Sequence, residues 1–182
     1  MSLTDRAKDI KSRENPIKNN HNNQKMKKKL KYSEIITEIE NVSSFSEIKP
    51  EDYADMDGYA DIIAKKYAKT DKSKKDKDCI KTTQLRKFFG AVRDIEKKKE
   101  WSDIEPELYL LKPKFAVSVG RKLIPKDFFK VMNVCLNKID VGETDDEKKE
   151  NFNTFVKFFE AIVAYHKYYH ENYEINRWIQ CL

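Results

Sequence analysis

The chain has 182 residues, charged residues make up 37% of it, and Lys+Arg outnumber Asp+Glu by 37 to 31, a formal net charge of +6. Mean hydropathy is −0.83, and no stretch approaches the roughly 18 consecutive apolar residues of a spanning helix, so no membrane insertion is expected. Met1, Ser2, Leu3, Thr4, Asp5 and Arg6 begin no apolar signal core, so a cytoplasmic protein is expected. Cys79, Cys135 and Cys181 are odd in number and lack Cys-x-x-Cys spacing, which argues for reduced thiols against both a disulfide framework and a zinc knot. With only 4 Gly and 5 Pro, the chain lacks the turn residues of a many-stranded sheet protein, and an all-α fold is expected.

Residues 1–31 hold ten Lys or Arg against three acids, a surplus of +7, with Asn19, Asn20, Asn22 and Asn23 and few large apolar side chains. Such a segment buries too little surface to offset its ordering entropy, so it reads as a disordered basic arm ahead of a helical domain over 32–182. A basic arm can add sequence-independent affinity for nucleic acid by displacing counterions; a solvated tail is the plainer alternative.

Ile35, Ile36 and Ile39 mark a short first helix that Ser33 could cap. Pro50, followed by Glu51 and Asp52, opens a helix expected to run to about Lys69 on the apolar residues Tyr53, Met56, Ala60, Ile63 and Tyr67. Residues 70–78 contain no apolar side chain and read as an exposed linker. The strongest periodicity follows a cap at Thr82 or Thr83: Leu85, Phe88, Phe89, Val92 and Ile95. On the other face Arg86, Gly90, Arg93 and Lys97, with Lys87 alongside, form a cationic ridge about 16 Å long. A glycine inside a helix costs about 1 kcal/mol against alanine, so Gly90 suggests close approach by a neighbouring backbone.

Leu108, Tyr109 and Leu111 belong to a helix that Pro113 either kinks or ends by opening a new one through Lys122. Phe115, Val119 and Leu123 face one way there, and Lys114, Ser118 and Arg121 make a second cationic stripe. Phe128, Met132, Cys135, Leu136 and Ile139 form another helix, ending at Gly142. Thr144 and Glu147 have capping-box spacing, and Phe152, Phe155, Val156, Phe159, Ile162, Val163 and His166 stripe a long last helix. Ile175, Trp178, Ile179 and Leu182 suggest one more docked turn or a partner-facing patch.

Catalytic chemistry finds little material. His166 and His170 are four apart but lack the Glu of His-Glu-x-x-His, and Asp55, Asp57 and Asp61 lack the spacing and terminal Glu of a calcium loop. No Gly-rich phosphate loop or nucleophile elbow occurs, and three histidines offer poor acid–base pairs, so no enzyme, metal or cofactor is expected. Tyr165, Tyr168, Tyr169 and Tyr173 could stack on bases, but core packing is the more common use of such residues.

Three blocks in order carry a resemblance: Lys81 to Phe89, Leu110 to Arg121 through Lys112-Pro113-Lys114, and Phe155 to Tyr168 with Glu160 to Lys167. Over about residues 50–170 the chain resembles the small subunit of the type III-A CRISPR-Cas effector, the Csm complex. The resemblance implies a compact bundle of about five helices, no catalysis, and a place in several copies along the guide RNA and target RNA path. Its implied partners are those RNAs, the backbone and large subunits of the complex, and further copies of itself in a stacked filament or homodimer. The RNA-facing positions it implies are Arg86, Lys87, Lys112, Lys114 and Arg121, and the periodicity alone adds Arg93 and Lys97. Val117 stands where many members carry a tyrosine. A purely structural module that bridges neighbouring subunits without touching RNA is the rival reading.

Overall fold

The computed structural model describes residues 30–70 and 72–179, with side chains as far as Asn176. Most of the basic arm, together with Cys181 and Leu182, lies outside the described residues. Among those described, the chain forms α1 (Tyr32–Asn41), α2 (Pro50–Tyr53), α3 (Tyr59–Tyr67), α4 (Thr82–Glu96), α5 (Trp101–Gly120), α6 (Lys126–Ile139) and α7 (Asp145–Ile179), and no strand. The all-helical expectation holds.

The bundle is built around α7, which packs on α3, α4, α5 and α6. The reason is in its sequence. Phe152, Phe155, Val156, Phe158, Phe159 and Ile162 are all buried, too wide an arc for a surface helix. Phe158 meets Phe45 and Tyr53 at centroid distances of 5.7 and 6.0 Å, while Phe159 meets Phe89 edge-on at 5.7 Å on the other side. The capping box forms: Glu147 N–H donates to Thr144 Oγ1 and Thr144 N–H to Glu147 Oε2, both at 3.3 Å. Asn151, buried in the core, receives Ser46 N–H at 2.9 Å and donates to the carbonyls of Ile139 and Val141 at 3.2 and 2.7 Å. One side chain thus ties the loop after α1, the end of α6 and the start of α7.

Four local expectations are corrected. The helix expected from Pro50 to Lys69 is two, because Asp57 takes a left-handed conformation (φ 61°) and a Cβ on Gly58 would lie 2.7 Å from the Asp55 carbonyl oxygen. Asp61 then accepts Asp57 N–H at 2.9 Å and secures the restart. Pro113 opens no new helix: α5 runs unbroken over both Pro106 and Pro113, which lie on its exposed side. Ser33 does not cap α1; the Lys31 N–H donates to Glu34 Oε2 at 2.9 Å, and Ser33 lies inside the helix. No separate terminal turn follows α7, which continues for 35 residues.

Residues 70–78 also do more than link. Lys74 Nζ donates to the Ala68 and Lys65 carbonyls at 2.6 and 3.0 Å, satisfying acceptors that the end of α3 leaves open. Lys69 pairs with Asp76 at 2.9 Å, and Ile80 N–H donates to the Tyr67 carbonyl at 2.8 Å, closing the loop on itself.

Candidate nucleic-acid interface

Helices α4 and α5 are antiparallel: Lys98 pairs with Glu107 at 3.5 Å at one end, and Phe88 stacks on Phe115 at 4.4 Å and 15° nearer the other. Leu85, Val92 and Ile95 of α4 and Leu108, Leu111 and Ser118 of α5 complete the buried faces. At 100° per residue, Arg86, Gly90, Arg93 and Lys97 then lie opposite the core, and all are exposed. Gly90 is not held by a neighbour. A Cβ placed there would meet no atom within 4 Å, which overturns the close approach read from its position.

The sequence-predicted cations divide into three groups. On the outward ridge Arg93 pairs with Glu96 at 2.5 Å and Lys97 with Asp94 at 2.7 Å, so half of the expected charge is neutralised within α4. Lys112 turns toward α6, where its Nζ donates to Asn137 Oδ1 at 2.7 Å and lies 5.4 Å from the Tyr109 ring centroid. It flanks a 270 Å³ hollow with Asp140. Burial pushes the Asp140 carboxyl up, but hydrogen bonds from Tyr109 and Lys148 outweigh it and hold the group below the ordinary carboxylate range. Lys114, two residues on from Lys112, points to the other side of α5.

There Lys114 and Arg121 face Lys87 of α4 across a groove of 520 Å³. Arg86, Lys87, Lys114 and Arg121 are all exposed, and among the described residues none has a carboxylate within ion-pair distance. Arg121 is placed by the end of α5: Leu123 N–H returns to the Ser118 carbonyl and Lys122 N–H to Val119, both at 2.9 Å, with Lys122 left-handed at φ 57°. Ser118 sits on the core side, its Oγ bonded to the Lys114 carbonyl at 3.0 Å, rather than between charges on an open stripe.

Sequence reasoning missed the groove floor. Leu110, Val117 and Leu123 are 52%, 58% and 40% exposed, respectively. The signal was present: Leu110, Lys114, Val117 and Arg121 recur at i, i+4, i+7, i+11, a stripe separate from the one through Leu111, Phe115 and Ser118. The other residues considered lie elsewhere. His166 is in the core with neither ring nitrogen hydrogen-bonded, and among the described residues no group of His, Cys, Asp or Glu is arranged to hold a metal ion. Tyr165 donates to the Ala54 carbonyl at 2.7 Å and Tyr169 to Asp61 Oδ1 at 2.5 Å, so both serve the fold. Among the described residues no helix is long and apolar enough to cross a membrane.

Residues 50–172 match the type III-A Csm2 family, which covers more than half of the chain and both cation-bearing helices. The chain belongs to the Csm2 family. A curated relative from Streptococcus thermophilus, "CRISPR system Cms protein Csm2", is 25% identical over 118 residues, spanning 62% of this chain and 92% of the relative. No solved structure matches. As a Csm2 protein the chain is a small subunit of the type III-A CRISPR-Cas complex, assembled with other Csm subunits. Helix α1 and the basic arm precede the matched region.

Proposed function

We propose that this Csm2 protein is a non-catalytic scaffold that lies along the guide RNA and target RNA and holds them by their phosphates. What supports the reading is the set of four exposed cations, Arg86, Lys87, Lys114 and Arg121, that share neighbouring faces of α4 and α5 and have no carboxylate partner among the described residues. Phosphate contacts position a strand without reading it, which suits a subunit that must serve any guide; sequence is left to base pairing. Each neutralised phosphate of a single strand contributes a salt slope of about 0.7, so one subunit binds weakly and repetition along the complex supplies avidity.

The test is fluorescence anisotropy with a labelled single-stranded RNA. Arg86→Glu combined with Arg121→Glu lowers affinity by about tenfold or more, equivalent to about 1.4 kcal/mol. Arg93→Gln combined with Lys97→Gln, whose charges are already paired, has a much smaller effect. Equal affinity in the first double variant and the parent sinks the RNA reading. The rival, a bridging module without RNA contact, draws on the exposed apolar floor of Leu110, Val117 and Leu123.

A further inference from the structure

Phosphate binding accounts for the rim of the α4–α5 groove but not for its floor. Three large apolar side chains, Leu110, Val117 and Leu123, stand open to solvent between the cations, and an anionic strand gains nothing from them. A second unpartnered apolar stripe lies on α7. Its last packed side chain toward the C-terminus is Tyr169, bonded to Asp61 and with Lys65 Nζ 5.7 Å from its ring centroid, yet the helix continues ten residues further, about 15 Å. On that extension Tyr168 and Ile175, one heptad apart, are 51% and 56% exposed, and Glu171 falls on the same side between them. The sequence continues the spacing with Ile179.

The two features lie at the same end of the molecule. Phe89 packs on Phe159 and the backbone of Ile80 neighbours His166, so α4 runs antiparallel to α7. Phe88 stacks on Phe115, which puts the Arg121 end of the groove beside the start of α4. Past that end α7 projects. Its own groove lies behind it along the body, while the groove of a second copy, turned end to end, lies ahead of it.

We infer that two copies of this chain associate by reciprocal exchange, the C-terminal end of α7 from each lying on the apolar floor of the other's α4–α5 groove. Tyr168 and Ile175 cover Leu110, Val117 and Leu123, and Glu171 comes to a rim whose cations, Lys87, Lys114 and Arg121, have no carboxylate of their own. Because both halves of the contact sit at one end, the arrangement closes on a two-fold axis and forms two identical contacts. The long stems of Lys114 and Arg121 line the groove while their charged ends reach beyond it, so the inference stands independently of the RNA reading.

Sedimentation equilibrium of the full chain, in reductant and without RNA, tests it. The parent chain approaches twice the monomer mass as concentration rises. Val117→Glu and Ile175→Glu, both exposed positions, each weaken association by about tenfold or more. A mixture of the two variants regains part of it, because one intact tail meets one intact groove. A parent chain that stays monomeric overturns the inference, as does a dimer indifferent to either substitution or a mixture that regains nothing. If Val117→Glu instead lowers RNA affinity and leaves the mass unchanged, the floor belongs to RNA and the exchange is wrong.

Discussion

His166 is the residue whose surroundings differ most from water. It lies 1% exposed in the core, and neither ring nitrogen is hydrogen-bonded. Burial lowers its pKa to about 4; the backbone of Ile80 and Tyr67 pulls weakly the other way, and His170 and Lys74, the charged groups facing it, add to the lowering. An unfolded histidine titrates near 6.5, so between about 6.5 and about 4 the unfolded chain binds the extra proton. Stability from the neutral ring is therefore complete above about pH 6.5 and is lost as pH falls toward about 4, on the order of 3 kcal/mol over that window. His166→Leu flattens this part of the pH profile, read by urea denaturation at pH 7 and pH 4.5; a profile as steep as the parent's means that other groups carry the acid sensitivity. Cys135 is treated similarly by the fold, with burial pushing its thiol well up, so it is a core filler and not a nucleophile.

At the scale of elements, α4 shows what a sequence displays and what it hides. Its buried set, Leu85, Phe88, Val92 and Ile95, was legible from spacing alone. The pairing of Arg93 with Glu96 and of Asp94 with Lys97 was legible too, at i, i+3, but a stripe of like charges drew attention away from the acids beside it. The separation of Lys112 from Lys114 follows from helix geometry; that the first meets Asn137 of α6 and the second faces Lys87 depends on packing that no local pattern contains. Similarly, Gly58 looked like a tolerable helix residue until the carbonyls of Asp52 and Asp55 were found 2.8 and 2.7 Å from where its Cβ would be. Gly90 has no such reason. In the isolated chain Gly90→Ala is expected to stabilise α4 by about 1 kcal/mol and raise the melting temperature by about 2–4 °C. Calorimetry decides it, and a lower melting temperature would show that something does approach that face.

For the whole molecule the distribution of charge matters more than its sum. From Leu30 onward the chain carries 28 Lys or Arg and 28 Asp or Glu, so the entire formal surplus resides in the 29 residues before it. The bundle offers RNA a local cationic face on a neutral body, whereas the arm offers net charge. Removing residues 1–29 should therefore reduce the slope of log affinity against log salt, by about 0.7 for every phosphate the arm had neutralised, while the loss on Arg86→Glu with Arg121→Glu persists. Identical slopes with and without the arm would mean that it makes no phosphate contact.

The central position of α7 also bears on how the protein comes into being. The other helices pack against the last one made, and Asn151 near its start closes the loop that follows the first. About 78 residues separate the end of α3 from the start of α7, which at roughly 5–20 residues per second is about 4 to 16 s of synthesis. During that interval Ile63, Phe88 and Phe115 have no phenylalanine-rich hub to cover them. The nascent chain passes through a stage in which its apolar surfaces need shielding, and the bundle condenses only once its final segment is free.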